Sequence, residues 1–187
     1  GPHCALVMSD PGADVLMVEP AHGTCEPTRV IGERTEDGTS VWFRNIARGK
    51  RSLKVNVKDP DGRELLLKLA ETADVMVEAF RPGVGKRLGV DYEAVAARNP
   101  KIVYCSISAF GQDSSLAKKP AHDVAVQALA GLIDLNRGKT DHQPTLPNVP
   151  FADASASLLA LSAILMALFR PPTTGQPSYI HLSMHFS

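Results

Sequence analysis

Residues 73–108 read ADVMVEAFRPGVGKRLGVDYEAVAARNPKIVYCSIS, and their order decides the fold class. Residues 73–78 form an apolar run closed by an acid, which reads as a buried strand. RPGVGKRLG follows as a Gly-rich turn. Residues 91–98 carry a short helical pattern that opens on Asp91 and stops at Asn99-Pro100. Residues 101–108 are β-rich and end near Phe110-Gly111. Strand, helix and strand in this order make a βαβ unit, with parallel strands and a right-handed crossover.

The same alternation continues upstream. Asp59-Pro60 opens a helix, with Asp as N-cap and Pro at the first helical position. Leu65, Leu66 and Leu69 form its apolar stripe. Residues 52–57 alternate as a strand does, and residues 14–19 (DVLMVE) follow a Pro-Gly turn as another buried strand. Residues 20–40, rich in Gly, Thr, Pro and charge, read as loop. The fold class is therefore α/β, a parallel sheet with flanking helices. In such sheets ligands lie beyond the carboxyl ends of the strands. Chemistry is expected in the turns after Glu19, Glu78 and Ser108.

Composition narrows the function classes. The 187 residues, 44% of them hydrophobic, are enough for one cored domain or slightly more. Lys plus Arg and Asp plus Glu number 20 each, a balance that argues against nucleic-acid binding and general membrane-surface attraction. Cys4, Cys25 and Cys105 are odd in number and show no CxxC spacing, which reads as reduced thiols in a cytoplasmic protein. The apolar run 158–169 is short for a membrane span and reads as a buried core helix. The opening GPHC, without an initiator Met, and the closing YIHLSMHFS read as the ends of a piece of a longer chain.

Four patterns carry possible chemistry. Residues 44–58 hold Arg44, Arg48, Lys50, Arg51, Lys54 and Lys58 with no acid; this suits phosphate oxygens, and equally a solvated face. FRPGVGKRLG sets Arg81, Lys86 and Arg87 among glycines, but its spacing is neither GxGxxG nor a Walker loop. His181 and His185 stand i, i+4 without the Glu of a zincin, so no metal site is expected. His122 opens one helical pattern and Asp153 opens the next. Taken singly, each has an ordinary reading, a structural histidine and an N-cap. Brought together, a histidine and a carboxylate could move a proton between two faces of a carbon. Asp153 alone could attack an acyl group.

Together these strings resemble the family III CoA-transferase superfamily, which includes formyl-CoA and carnitine CoA-transferases and the α-methylacyl-CoA racemases. The matching strings are GADVLMVE, the segment 48–112, AHDVAVQALAGL and FADASASLLALSAILMALF. The resemblance implies a Rossmann-like CoA-binding domain over residues 1–187. It also implies a second, smaller domain that this chain lacks, and interlocked homodimers. Asp153 matches the family's catalytic aspartate, and His122 the histidine of the racemases, where many transferases carry Tyr. Arg81 and Arg87 match arginines near the CoA nucleotide; Val55 and Asn56 match the backbone that faces the adenine. The chain departs from the family pattern at Pro20, at Ser155 and Ser157, and in a shortened turn at Thr174, Gly175 and Gln176.

The reading preferred on sequence is racemisation of 2-methylacyl-CoA thioesters in lipid metabolism. His122 and Asp153 would exchange acid and base roles across the α-carbon. The alternative is CoA transfer between carboxylic acids through an aspartyl-CoA thioester on Asp153. A non-catalytic CoA-binding fragment is a third reading. No prosthetic group is implied; coenzyme A enters as part of an acyl-CoA substrate. No nucleic acid and no membrane span are expected.

Overall fold

The computed structural model describes residues 1–23, 26–138, 142–170 and 178–187. Cys25 and residues 174–176 lie outside them. The elements run α1 (Pro2–Ser9), β1 (Val15–Pro20), α2 (Val41–Ile46), β2 (Lys50–Val55), α3 (Pro60–Ala70), β3 (Val75–Glu78), α4 (Val84–Leu88) and α5 (Tyr92–Arg98). They continue with β4 (Val103–Ser108), α6 (Asp123–Leu129), α7 (Leu132–Leu135), α8 (Phe151–Leu168) and β5 (Ser178–Ser183). Every strand pairing is parallel. β1 pairs with β2 from Val15↔Lys50 to Pro20↔Val55, and a second sheet has the order β3-β4-β5. This is the expected α/β class, with the sheet in two pieces. Helix α1 touches β1, α2 and α8, and so bridges them.

Local chemistry explains most of the element starts. The Asp59 side chain accepts the Asp61 N–H at 2.9 Å, and Pro60 supplies a helical φ without an N–H to satisfy. Asp91 caps α5 in the same way through Ala94. Four helices were not foreseen: α4 forms inside the expected Gly-rich turn, α7 follows the α6 pattern, and α1 and α2 open the chain's first half. α2 opens on Ser40, whose Oγ accepts the Phe43 N–H at 3.2 Å. α1 opens on Gly1-Pro2 within what reads as an abrupt chain start. Strand β2 begins at Lys50, before the expected residue 52, and ends at Val55. Gly62 is required by a close approach: a Cβ there would lie 2.2 Å from the Asn56 carbonyl oxygen. The chain leaving β2 is thus clamped against α3.

Strand β4 is buried along its whole length and divides the core. Val103, Cys105 and Ile107 join Cys4 of α1 and Ala156, Ala160 and Ile164 of α8. On the other face Tyr104 packs with Leu67, Ala70, Val95 and Ile102. Small residues at 152, 156 and 160, four apart, let α8 approach the sheet closely. Burial of the apolar helix is one-sided, however. Leu158, Leu165, Met166 and Phe169 are exposed, Phe169 at 84%. Apart from Ile164 and the half-buried Leu161, the larger apolar side chains fall outside the stripe that meets the sheet, which corrects the expectation of a buried core helix. By length and composition α8 also matches a membrane span. Cys4 and Cys105 are free and buried, and burial pushes the Cys105 thiol up to about 12.

The loop after β1 is tied down by one carboxylate. Glu19 is fully buried, with both oxygens bridged by Arg29 at 2.7 Å, and with Ser52 Oγ and the Glu26 N–H donating as well. Arg29 in turn lies 3.9 Å over the Phe43 ring. The Arg29 hydrogen bonds outweigh desolvation and hold Glu19 at about 2, below its ordinary 4.5. A carboxyl depressed in the fold stabilises it above the unfolded value, and that gain fades as pH falls through 4.5 towards 2. Glu19→Gln is therefore expected to cost on the order of 3 kcal/mol at pH 7 and clearly less at pH 3. Urea unfolding at both pH values checks this; equal losses would rule out the ionised clamp.

The basic segment 44–58 resolves mostly into internal pairs. Arg44 bonds Asp37 at 2.5 Å, Arg48 bonds Asp10 at 2.6 Å and Arg51 bonds Asp14 at 2.7 Å. Lys50 Nζ donates to the Pro2 carbonyl at 2.7 Å, and burial lowers its pKa. Half of the expected phosphate-binding cluster, its three arginines, is thus neutralised by acids outside the segment, and such exposed pairs add little stability.

Candidate active site

The carboxyl ends of β3 and β4 open onto a cavity of about 550 Å³, a size ordinary for small-molecule sites. Phe80 and Arg81 after β3, Ser108 closing β4, Met184 after β5 and Trp42 of α2 all contribute to its wall. Of the turn after Glu19, Thr28 reaches it. His122 and Asp153 both line this cavity. No hydrogen bond or ion pair joins their side chains among the described residues.

Their local positions differ from each other. His122 is the N-cap residue of α6, but its side chain makes no capping bond. Asp153 is not an N-cap. It is the third residue of α8, whose cap is Pro150, so its carboxylate is free of the capping bond foreseen for it. An acid in a helix's first turn suits the positive end of the dipole.

Asp123 organises this corner, and sequence reasoning passed over it. It is 7% exposed. One carboxylate oxygen accepts the Asp153 backbone N–H at 2.8 Å; the other accepts from Gln127 Nε2, which also donates to the Val149 carbonyl at 3.3 Å. The first residue of α6 thereby satisfies an otherwise orphan N–H in the first turn of α8. The available signal was an acid directly after His122 at a helix start. Nothing in the sequence shows that it reaches α8.

Asp153 is exposed, yet its carboxyl is pushed up from the ordinary aspartate value of 3.8. Desolvation by the cavity walls is the largest cause, followed by the Asp123 charge; the Gly1 amine, His122 and His3 oppose them. Its outer carboxylate surface stays open to ligand, which suits either a base or a nucleophile.

The residues expected near the CoA nucleotide divide. Arg81 lines the cavity. Val55, Asn56 and Arg87 lie outside its wall. The Val55 carbonyl accepts from Ala21, and the Asn56 carbonyl from Asp59 at 3.0 Å. Arg81 and Arg87 make no ion pair with the described residues, unlike the arginines of segment 44–58. No cluster of His, Cys, Asp and Glu suited to a metal occurs among the described residues.

Residues 1–186 match the model of CoA-transferase family III. The chain belongs to this family. Acetyl-CoA:oxalate CoA-transferase of Acetobacter aceti is 37% identical over 186 residues, covering 98% of this chain and 47% of that protein. Succinate–glutarate CoA-transferase of Agrobacterium fabrum is 34% identical over 190 residues, again with 98% and 47% coverage. A CAIB/BAIF family protein from Brucella suis superposes with a TM-score of 0.89 at 34% identity, over 98% of this chain and 49% of that one. The family III chain spans about half the length of the curated relatives it matches. Its α/β architecture and its membership both agree with the resemblance read from sequence.

Proposed function

We propose that the protein transfers coenzyme A between carboxylic acids, with Asp153 as the covalent carrier. The open Asp153 carboxylate carries this reading, set in the cavity wall at the carboxyl edge of the sheet. The names of the two relatives described above, both CoA-transferases, favour transfer over the racemisation preferred on sequence. An Asp153 oxygen attacks the thioester carbonyl and the CoA thiolate leaves, giving a mixed anhydride. The thiolate then attacks the Asp153 carbonyl, releasing the donor acid and leaving an aspartyl-CoA thioester. The acceptor carboxylate attacks that carbonyl and frees the thiolate again. The thiolate finally takes the acceptor acyl group and restores Asp153.

Arg81 and Arg87 are assigned to the CoA phosphates, because both are exposed guanidinium groups without an ion-pair partner in the described residues. Val55 and Asn56, fixed by Gly62, are assigned to the adenine end. No metal or prosthetic group has a role in this chemistry. Residues 1–187 would act as the CoA-binding part of a homodimeric enzyme.

Racemisation remains the second reading, because His122 shares the cavity with Asp153. The two separate in deuterated water. A transferase forms new acyl-CoA from an added acid and leaves the α-carbon undeuterated. His122→Ala is expected to retain transfer within about 10-fold, whereas a two-base racemase would lose α-proton exchange by about 10²-fold or more. α-Deuteration that vanishes with His122→Ala would favour the racemase.

A further inference from the structure

The turn that follows β3 is pinned on both sides of one unpaired cation. Phe80 donates its backbone N–H to Glu78 Oε2 at 2.6 Å. The Arg81 carbonyl accepts the Val84 N–H at 3.1 Å. Between these bonds Pro82 keeps Arg81 out of the helical region, and Gly83 takes a φ of +80°, where a side chain would be strained. The backbone of this turn is thus set, while the Arg81 guanidinium lines the cavity without an ion-pair partner among the described residues.

The anchor of the turn is itself held. Glu78 closes β3 and is the register partner of Ser106 on β4, which is in turn the partner of His181 on β5. Register partners project to one face of a sheet, so the three make a row across it. Ser106 is fully buried, and its Oγ accepts from Gln112 Nε2 at 2.9 Å. His181 Nε2 accepts the Gln112 backbone N–H at 2.7 Å. The row therefore also fixes the turn after β4, which contributes Ala109 to the cavity. Residue 78 stood out in the sequence only as the acid that closes an apolar run.

We propose that Glu78 is the positioning residue of Arg81: seated in this row, its carboxyl group holds the turn so that the guanidinium meets a phosphate of CoA. This rests on the assignment of Arg81 to CoA made above. Glu78 lies outside the cavity wall, so it acts on a ligand through the turn and not by touching it. A guanidinium matches phosphate as a planar fork, and two parallel bonds form only when the fork is aimed. A backbone fixed before the ligand arrives leaves less freedom to lose on binding.

The test is a calorimetric titration with CoA. Glu78→Ala is expected to weaken binding about 10-fold, the scale of a charged hydrogen bond lost from the ligand. Glu78→Gln keeps a carbonyl oxygen for the Phe80 N–H and should stay within about 3-fold of the parent. In an Arg81→Ala background, Glu78→Ala should change nothing further, because both substitutions remove one interaction. Glu78→Met keeps the packing volume without an acceptor, and replaces the alanine variant if that does not fold. Parent-like affinity in Glu78→Ala, equal losses in the Gln and Ala variants, or losses that multiply in the double variant would overturn the positioning role and leave the transfer reading standing. Parent-like affinity in Arg81→Ala alone would overturn the assignment of Arg81 to CoA, and this inference with it.

Discussion

Replacing Asp153 with asparagine is expected to lower CoA transfer by about 10⁴-fold or more, the scale seen when a covalent catalyst loses its nucleophile. An amide cannot form the anhydride, and no other carboxylate among the described residues lines the cavity. The fold should not suffer. Asp153 titrates above its ordinary value, chiefly through desolvation and then through Asp123. A carboxyl raised in the fold binds its proton more tightly there than when unfolded. Its ionisation therefore works against the fold once the pH rises past the unfolded value of 3.8. At pH 7 Asp153→Asn should melt no lower than the parent. Activity loss together with a lower Tm would point to a structural role. The same sign sets the pH profile: the acidic limb of kcat/KM, where Asp153 ionises, should lie above the usual aspartate range.

Asp123 is expected to give the second large effect. Asp123→Ala removes the acceptor of the Asp153 N–H and of Gln127 Nε2. A buried N–H left unsatisfied costs about 1–3 kcal/mol. Loosening the first turn of α8 should also displace the nucleophile, and a misplacement of about 1 Å costs on the order of 10²-fold in rate. Asp123→Asn separates geometry from charge. Its amide oxygen can still accept the Asp153 N–H, but the negative charge that raises the Asp153 pKa is gone. The acidic limb should then move to lower pH with a smaller rate loss. An unmoved limb would show that Asp123 acts through hydrogen bonding alone.

Most of the element order was legible because its punctuation is local. Asp59-Pro60 and Asp91 announce α3 and α5, and apolar runs mark β1, β3 and β4. Helices α1 and α2 were missed for different reasons. VWFRNI is barely longer than one turn and carries too few residues to show a period. GPHCALVMSD does carry its signal, a Pro in the first turn, but it was read as a chain start. Strand order was beyond reach, since β5 lies beside β4 some 70 residues away in sequence. The split of the sheet could not be read for the same reason.

The site was legible as residue types and not as geometry. His122 and Asp153 each stood at a helix start, and both reach one cavity. The basic run 44–58 looked like a phosphate site because its partners Asp10, Asp14 and Asp37 stand outside it. Asp123 matters through its long-range contact with α8, and no local pattern encodes it.

The most direct test of the account is the mass of the protein after incubation with acyl-CoA and no acceptor acid. The account predicts a CoA adduct, released by hydroxylamine, that maps to the peptide carrying Asp153 and is lost in Asp153→Asn. An unmodified Asp153 in a preparation that exchanges the α-proton of the acyl-CoA with deuterated water would contradict it.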